Sequence, residues 1–133
     1  MELIIILNII KAWVAGIFIA LAALIYMIIS PFGLGFKIVG ALLFGCGLLS
    51  ICEEQLNLVT GKFGMLYDGS WNLREILIIF ISNLIGVLTI FFLRYLDAKP
   101  ELVYEAAKPL VESRDAQMWY QHIIGGIGCG ICI

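Results

Sequence analysis

Charge is scarce in this sequence. Only 14% of its 133 residues are charged and 62% are hydrophobic, whereas an average soluble domain is about a quarter charged and about half apolar. A soluble domain of this length has no interior that could hold so much apolar surface, and the mean hydropathy is +1.07. The composition therefore predicts an all-α protein that crosses a lipid bilayer several times. A net charge of −2 and the lack of a basic run also exclude a nucleic-acid partner.

Signatures of enzyme chemistry are also missing. The sequence shows no Ser/His/Asp set, phosphate-binding loop or metal-ligand cluster, so we predict neither catalysis nor a cofactor. The four cysteines lie inside apolar segments, where cysteine behaves as a small hydrophobe. Cys129 and Cys132 form a C-x-x-C motif, which leaves a membrane redox protein open as an alternative. Because no second Cys or His pair completes a zinc site, close helix packing at Gly126 and Gly130 is the preferred interpretation.

The apolar segments predict one transmembrane domain over residues 1–133. A span needs about 20 apolar residues, and the expected spans are residues 12–30, 36–52, 73–96 and 118–133. Residues 98–117 form the only clearly aqueous segment, where a short helix over 102–111 is expected to be limited by Pro109. The last span is short and has no charged residue at its far end, so we expect a fragment of a longer protein. The alternative is a complete small protein with a tilted last helix.

The most informative feature is a pair of glutamates, Glu53 and Glu54, inside an otherwise apolar stretch. A charged side chain at the bilayer centre costs about 2.5–3.5 kcal/mol. Unwound backbone is tolerated at that depth only where protein or a water-filled cavity meets it. We therefore predict that residues 53–61 leave helical geometry beside a polar path through the membrane.

Four short motifs resemble those of the formate/nitrite transporter family, in order and in spacing. They are the glycine-rich FGCGLLSICEEQLNLVTG of residues 44–61, SNLIG of 82–86, AAK of 106–108 and GIGCG of 126–130. The resemblance covers the whole chain but only about the first half of a family member.

The resemblance implies a six-span fold made of two inverted three-helix repeats, of which this chain supplies the first repeat and the start of the second. It further implies a homopentamer in the cytoplasmic membrane, with one pore per subunit for small monovalent anions such as formate, nitrite or hydrosulfide. In the family the second helix is broken at the midplane, as discontinuous helices often are at transport sites.

The family's pathway residues match five positions of this chain. Phe44 and Leu48 match apolar constriction residues on the second helix, and Leu58 matches a further one in the loop. Thr60 matches a threonine that offers its hydroxyl to the pore centre. Lys108 matches a basic residue that draws anions into the outer vestibule, although the balance of Lys and Arg between the two sides would by itself place this residue in the cytoplasm.

The sequence also departs from the family pattern. Asn57 stands at an acidic loop position, Val59 at a loop phenylalanine and Gly130 at an asparagine. The central pore histidine of the family lies in its fifth helix, so His122 is not its counterpart.

Each candidate residue has a simpler alternative. Thr60 would cap a helix over residues 61–67, and Lys108 would be a solvated charge near Glu105 or Glu112. For Phe44, Leu48 and Leu58 the alternative is ordinary helix packing.

Three further polar residues of the apolar stretches have two interpretations each. Glu53 and Glu54 are either gating or proton-coupling carboxylates or hydrated interfacial groups, and we prefer the second. Asn83 is either a pore residue or an interhelical hydrogen-bond donor, and again we prefer the second. For the whole chain, the alternative to a channel is a small glycine-rich membrane protein with an assembly or scaffolding role.

Overall fold

The computed structural model describes residues 2–67, 69–95 and 101–132, with side chains except at positions 2, 95, 102 and 128–132. Within these ranges all regular secondary structure is helical, which confirms the predicted all-α class. The α-helices are α1 (Glu2–Ile29), α2 (Leu34–Glu53), α3 (Val59–Lys62), α4 (Leu73–Tyr95), α5 (Glu101–Asp115) and α6 (Trp119–Cys132). Short 3-10 helices follow α1 at Ser30–Phe32 and α3 at Phe63–Leu66.

Among the described residues, three segments are long and apolar enough to cross a membrane: Leu3–Phe32, Leu34–Glu53 and Leu73–Arg94. The first begins well before the expected residue 12, because the apolar lead continues α1 without a helix-breaking residue. At the fourth expected span, α6 has 14 residues, which is about 21 Å at 1.5 Å per residue. That is shorter than the hydrocarbon core of about 30 Å, so a fourth crossing stays a prediction.

The turn between α1 and α2 depends on Pro31 and Gly33. Pro31 lies at the start of the 3-10 helix, where a missing N–H costs nothing. Gly33 has φ 127° and ψ 179°, a conformation open essentially to glycine alone. Gly40 then packs against Tyr26 and Ile29, so α2 runs back along α1 as an antiparallel hairpin.

The core of the fold lies between α1 and α4. Ile76 and Ile79 of α4 and Ala12 and Ala15 of α1 are buried there. Gly16 lies directly against the main-chain oxygen of Asn83. The small α1 residues therefore let α4 approach backbone to backbone, as small residues do between membrane helices.

A second glycine, on α4, repeats this contact from the other side. Gly86 lies against the main-chain oxygen of Trp13. The Trp13 indole N–H also donates a hydrogen bond of 3.2 Å to the Thr89 hydroxyl, so the contact between the two helices continues beyond the glycines.

The expectation that Pro109 limits the aqueous helix is wrong. α5 runs from Glu101 to Asp115 with Pro109 inside it. Proline removes the hydrogen bond to the carbonyl four residues earlier, which belongs to Glu105. Glu105 is exposed, so water can bind that carbonyl and the helix continues.

Candidate functional site

The second long helix ends where the sequence predicts a break. α2 stops at Glu53, and Gln55 has φ 51°. The Gln55 N–H donates to the Cys52 carbonyl at 3.2 Å, and the Leu56 N–H donates to the Ile51 carbonyl at 2.9 Å. These two bonds define a Schellman motif. Residues 54–58 are non-helical, a narrower break than the predicted 53–61 because α3 starts at Val59.

Gln55 occupies a left-handed position that usually belongs to glycine. A residue with a Cβ costs about 1–2 kcal/mol in this conformation. Gln55→Gly should therefore stabilise the protein by up to about 1 kcal/mol and raise its thermal midpoint in detergent, while Gln55→Val should lower it. Gln117→Gly is the control, because Gln117 is exposed and has no positive φ. A lower midpoint for Gln55→Gly would mean that α2 does not end through a left-handed residue.

Asn83 of α4 holds the end of the break. Its carboxamide N–H groups donate to the Ala12 carbonyl at 2.6 Å and to the Asn57 carbonyl at 2.9 Å. Its carboxamide oxygen accepts the Val59 N–H at 2.9 Å. The side chain is buried, and both of its N–H donors have a carbonyl acceptor. The preferred interpretation of Asn83 as an interhelical hydrogen-bond donor is confirmed.

Asn57 ties the break to α1. Its side chain is only 4% exposed, and its N–H groups donate to the Asn8 side-chain oxygen at 3.1 Å and main-chain oxygen at 3.3 Å. In the sequence, Asn57 is notable only as a departure from the family pattern, and Asn8 is not among the predicted site residues. The available signal was that Asn8 is a polar residue within an apolar run, since buried polar groups need partners.

The five predicted pathway residues fall into three places. Phe44 and Leu48 lie one turn apart on α2, half-buried, about 15 Å and 9 Å along the helix from the break. Leu58 has an extended backbone, with φ −91° and ψ 129°, directly before α3, and Thr60 is exposed within α3. Lys108 is exposed on α5. The fold thus brings Leu58 and Thr60 together at the break and leaves Lys108 on a separate element.

The comparison with known families gives a match that covers nearly the whole chain. The family model described as formate/nitrite transporter matches residues 3–133. The chain belongs to the formate/nitrite transporter family. Members of this family are transporters rather than enzymes, so at family level the chain is a membrane protein for the transport of small anions. No curated protein and no solved structure matches the chain.

Two alternatives for the break are decided by its geometry. Thr60 is not a helix cap, because α3 starts at Val59 with Leu58 as its cap residue. The N–H of Val59, the first residue of α3, donates to the Asn83 side chain. Glu53 and Glu54 are both exposed, which favours hydrated carboxylates over buried gating groups.

The C-x-x-C motif of this transporter chain lies in α6, but the side chains of Cys129 and Cys132 are outside the described residues. The surroundings of Gly130 are likewise not described, so its proposed packing face with Gly126 stays a prediction. In the part of the chain that the structure describes, no three His, Cys, Asp or Glu side chains come together to hold a metal.

The described residues line two cavities, one near the break and one at the other end of α4. One of about 40 Å³, enough for a water molecule, lies between the starts of α1 and α4 and is lined by Ile5, Asn8, Ile9, Trp71, Glu75, Ile78 and Ile79. An open groove of about 430 Å³ is lined by Phe91, Arg94, Glu101, Val103, Tyr104, Glu105 and Ala107. None of the five predicted pathway residues lines either one.

Proposed function

We propose that this chain forms part of a channel or transporter that passes a small monovalent anion, of the formate, nitrite or hydrosulfide type, across the cytoplasmic membrane. Passage is passive or linked to protons, and the working unit is a homopentamer. The spans are residues 12–30, 36–52, 73–96 and 118–133, arranged as the first part of an inverted repeat with Lys108 on the outer face. Family membership supports the anion class, and the broken α2 supports the route.

The break of α2 is the observation that carries this proposal. We place the break at membrane depth. Lipid cannot bind free backbone N–H and C=O groups, so a non-helical segment at that depth needs protein or water beside it. The buried Asn83 side chain binds the Asn57 carbonyl and the Val59 N–H, while Thr60 stays exposed. One side of the break thus faces protein, and the other side is available to an aqueous route.

Each pathway residue then has a distinct physical task. Lys108 raises the local concentration of anions by electrostatic attraction. Phe44, Leu48 and Leu58 form an apolar constriction, which controls the entry of water and ions. The Thr60 hydroxyl donates a hydrogen bond that replaces part of the hydration shell of the anion.

Thr60→Val tests the route. The variant keeps the shape of the side chain and removes the hydroxyl. We expect anion flux in proteoliposomes to fall about tenfold, because the variant loses one hydrogen bond to a charged group. Assembly, followed by size-exclusion chromatography, should be unchanged. Thr89→Val is the matched control, because the Thr89 hydroxyl bonds within α4 and to Trp13 and contacts no residue of the break. Unchanged flux in Thr60→Val would remove Thr60 from the site, and a wild-type protein without flux of any of the three anions would favour the scaffolding alternative.

A further inference from the structure

Resting on the proposed anion route, we propose that Asn83 is a positioning residue for it. Its carboxamide fixes residues 57–59 against α1, so that the contact between α1 and α4 determines where Leu58 and Thr60 stand. Asn83 itself does not contact the anion, because its two N–H groups and its oxygen are already bonded to protein.

The hydrogen bonds of Asn83 hold the backbone on both sides of Leu58. The Asn57 carbonyl precedes Leu58 and the Val59 N–H follows it, and both are held by the same side chain at 2.9 Å. Thr60 comes one residue later in α3. A single carboxamide therefore fixes the backbone on both sides of one pathway residue and immediately before another.

Besides the two hydrogen bonds from the Asn57 side chain to Asn8, other restraints on this segment are weak. α3 is four residues long and has no side-chain cap, and a helix of that length is not stable by itself. Within the break, the Leu58 N–H reaches only the Leu56 carbonyl, at 3.2 Å. The N–H of Val59 would have no partner within α3, since the first N–H groups of a helix never do. The side chain from α4 supplies that partner.

The third hydrogen bond of Asn83 makes the position of the break depend on the spacing of α1 and α4. Asn83 reaches the Ala12 carbonyl of α1 at 2.6 Å. Such a short side chain spans the gap only because Gly16 lets the Asn83 main chain approach α1 closely. A change in the spacing of α1 and α4 therefore moves residues 57–59 as well.

Amide hydrogen exchange tests this role independently of transport. In Asn83→Leu, the acceptor of the Val59 N–H is lost, and exchange of that amide should become about tenfold faster, as expected for one buried hydrogen bond whose partner is left unsatisfied. Asn83→Asp keeps an acceptor oxygen and loses the donors, so exchange at Val59 should rise less than in Asn83→Leu. Thr89→Val, which removes a different α1–α4 hydrogen bond, should leave Val59 protected.

Flux measurements on the same proteins, expressed from the intact gene and reconstituted in proteoliposomes, complete the test. Both Asn83 variants should change the ratio of formate to nitrite flux, whereas partial loss of folded protein would lower both fluxes equally. Unchanged exchange at Val59 in Asn83→Leu, or an equal rise in Thr89→Val, would overturn the positioning role. If Asn83→Leu does not fold, an unchanged flux ratio in Asn83→Asp would overturn it. A wild-type protein without anion flux would instead contradict the proposed function, while the exchange results would still decide whether Asn83 holds the break.

Discussion

Gly16→Ala should sharply reduce the stability of the folded protein. A methyl group at this position would collide with the main-chain oxygen of Asn83, and no rotation of a side chain can relieve a collision with main chain. Overpacking of a core typically costs 1–3 kcal/mol, and we expect about 3 kcal/mol here because α1 and α4 must move apart. The thermal midpoint of the detergent-purified protein, followed by size-exclusion chromatography, measures this effect.

Gly45→Ala is the matched control. Gly45 lies within α2, and a Cβ added to it meets no atom within 4 Å. Alanine has a higher helix propensity than glycine by up to about 1 kcal/mol, so this control should keep or raise the midpoint. A normal midpoint for Gly16→Ala would show that α1 and α4 are not packed backbone to backbone.

The glycines show where the sequence was insufficient. The spacing of Gly126 and Gly130 predicts a packing face, because it is the usual motif of small residues between membrane helices. The structure shows tight contacts at Gly16 and Gly86, whereas the packing face of Gly126 and Gly130 stays a prediction. Spacing identifies a smooth helix face, but it does not indicate which helix covers that face.

The break of α2 was predictable in position but not in mechanism. Two adjacent carboxylates in an apolar run are costly enough in lipid to indicate that the helix ends there. The residue that reverses the backbone is Gln55, whereas the usual sequence signal for a left-handed helix end is glycine. The long-range partners were also hidden, since Asn83 bonds to a carbonyl 71 residues earlier in the chain. Hydropathy finds helices, but pairing of buried polar groups depends on how the helices meet.

Lys108→Gln should reduce anion flux most strongly at low ionic strength. Attraction by a charged vestibule raises the local concentration of an oppositely charged substrate by a factor of 10 or more, so we expect about a tenfold loss when this charge is removed. The Debye length is about 30 Å at 0.01 M and about 3 Å at 1 M ionic strength. The variant and the wild type should therefore converge as an impermeant salt is added to the proteoliposomes.

Lys37→Gln separates a local effect of Lys108 from a general effect of surface charge. Lys37 is also exposed, and in the proposed arrangement it lies on the same side of the membrane, so its substitution changes the net charge of that face by the same amount. Only Lys108→Gln should show a salt-dependent loss if Lys108 stands at the entrance of the route. An equal loss in both variants would indicate a diffuse surface potential, and no loss in either would leave Lys108 as a solvated residue of α5. Because Lys108 and the break lie on separate elements, a loss in Lys108→Gln together with normal exchange at Val59 would also show that anion attraction and loop position are independent parts of the transport site.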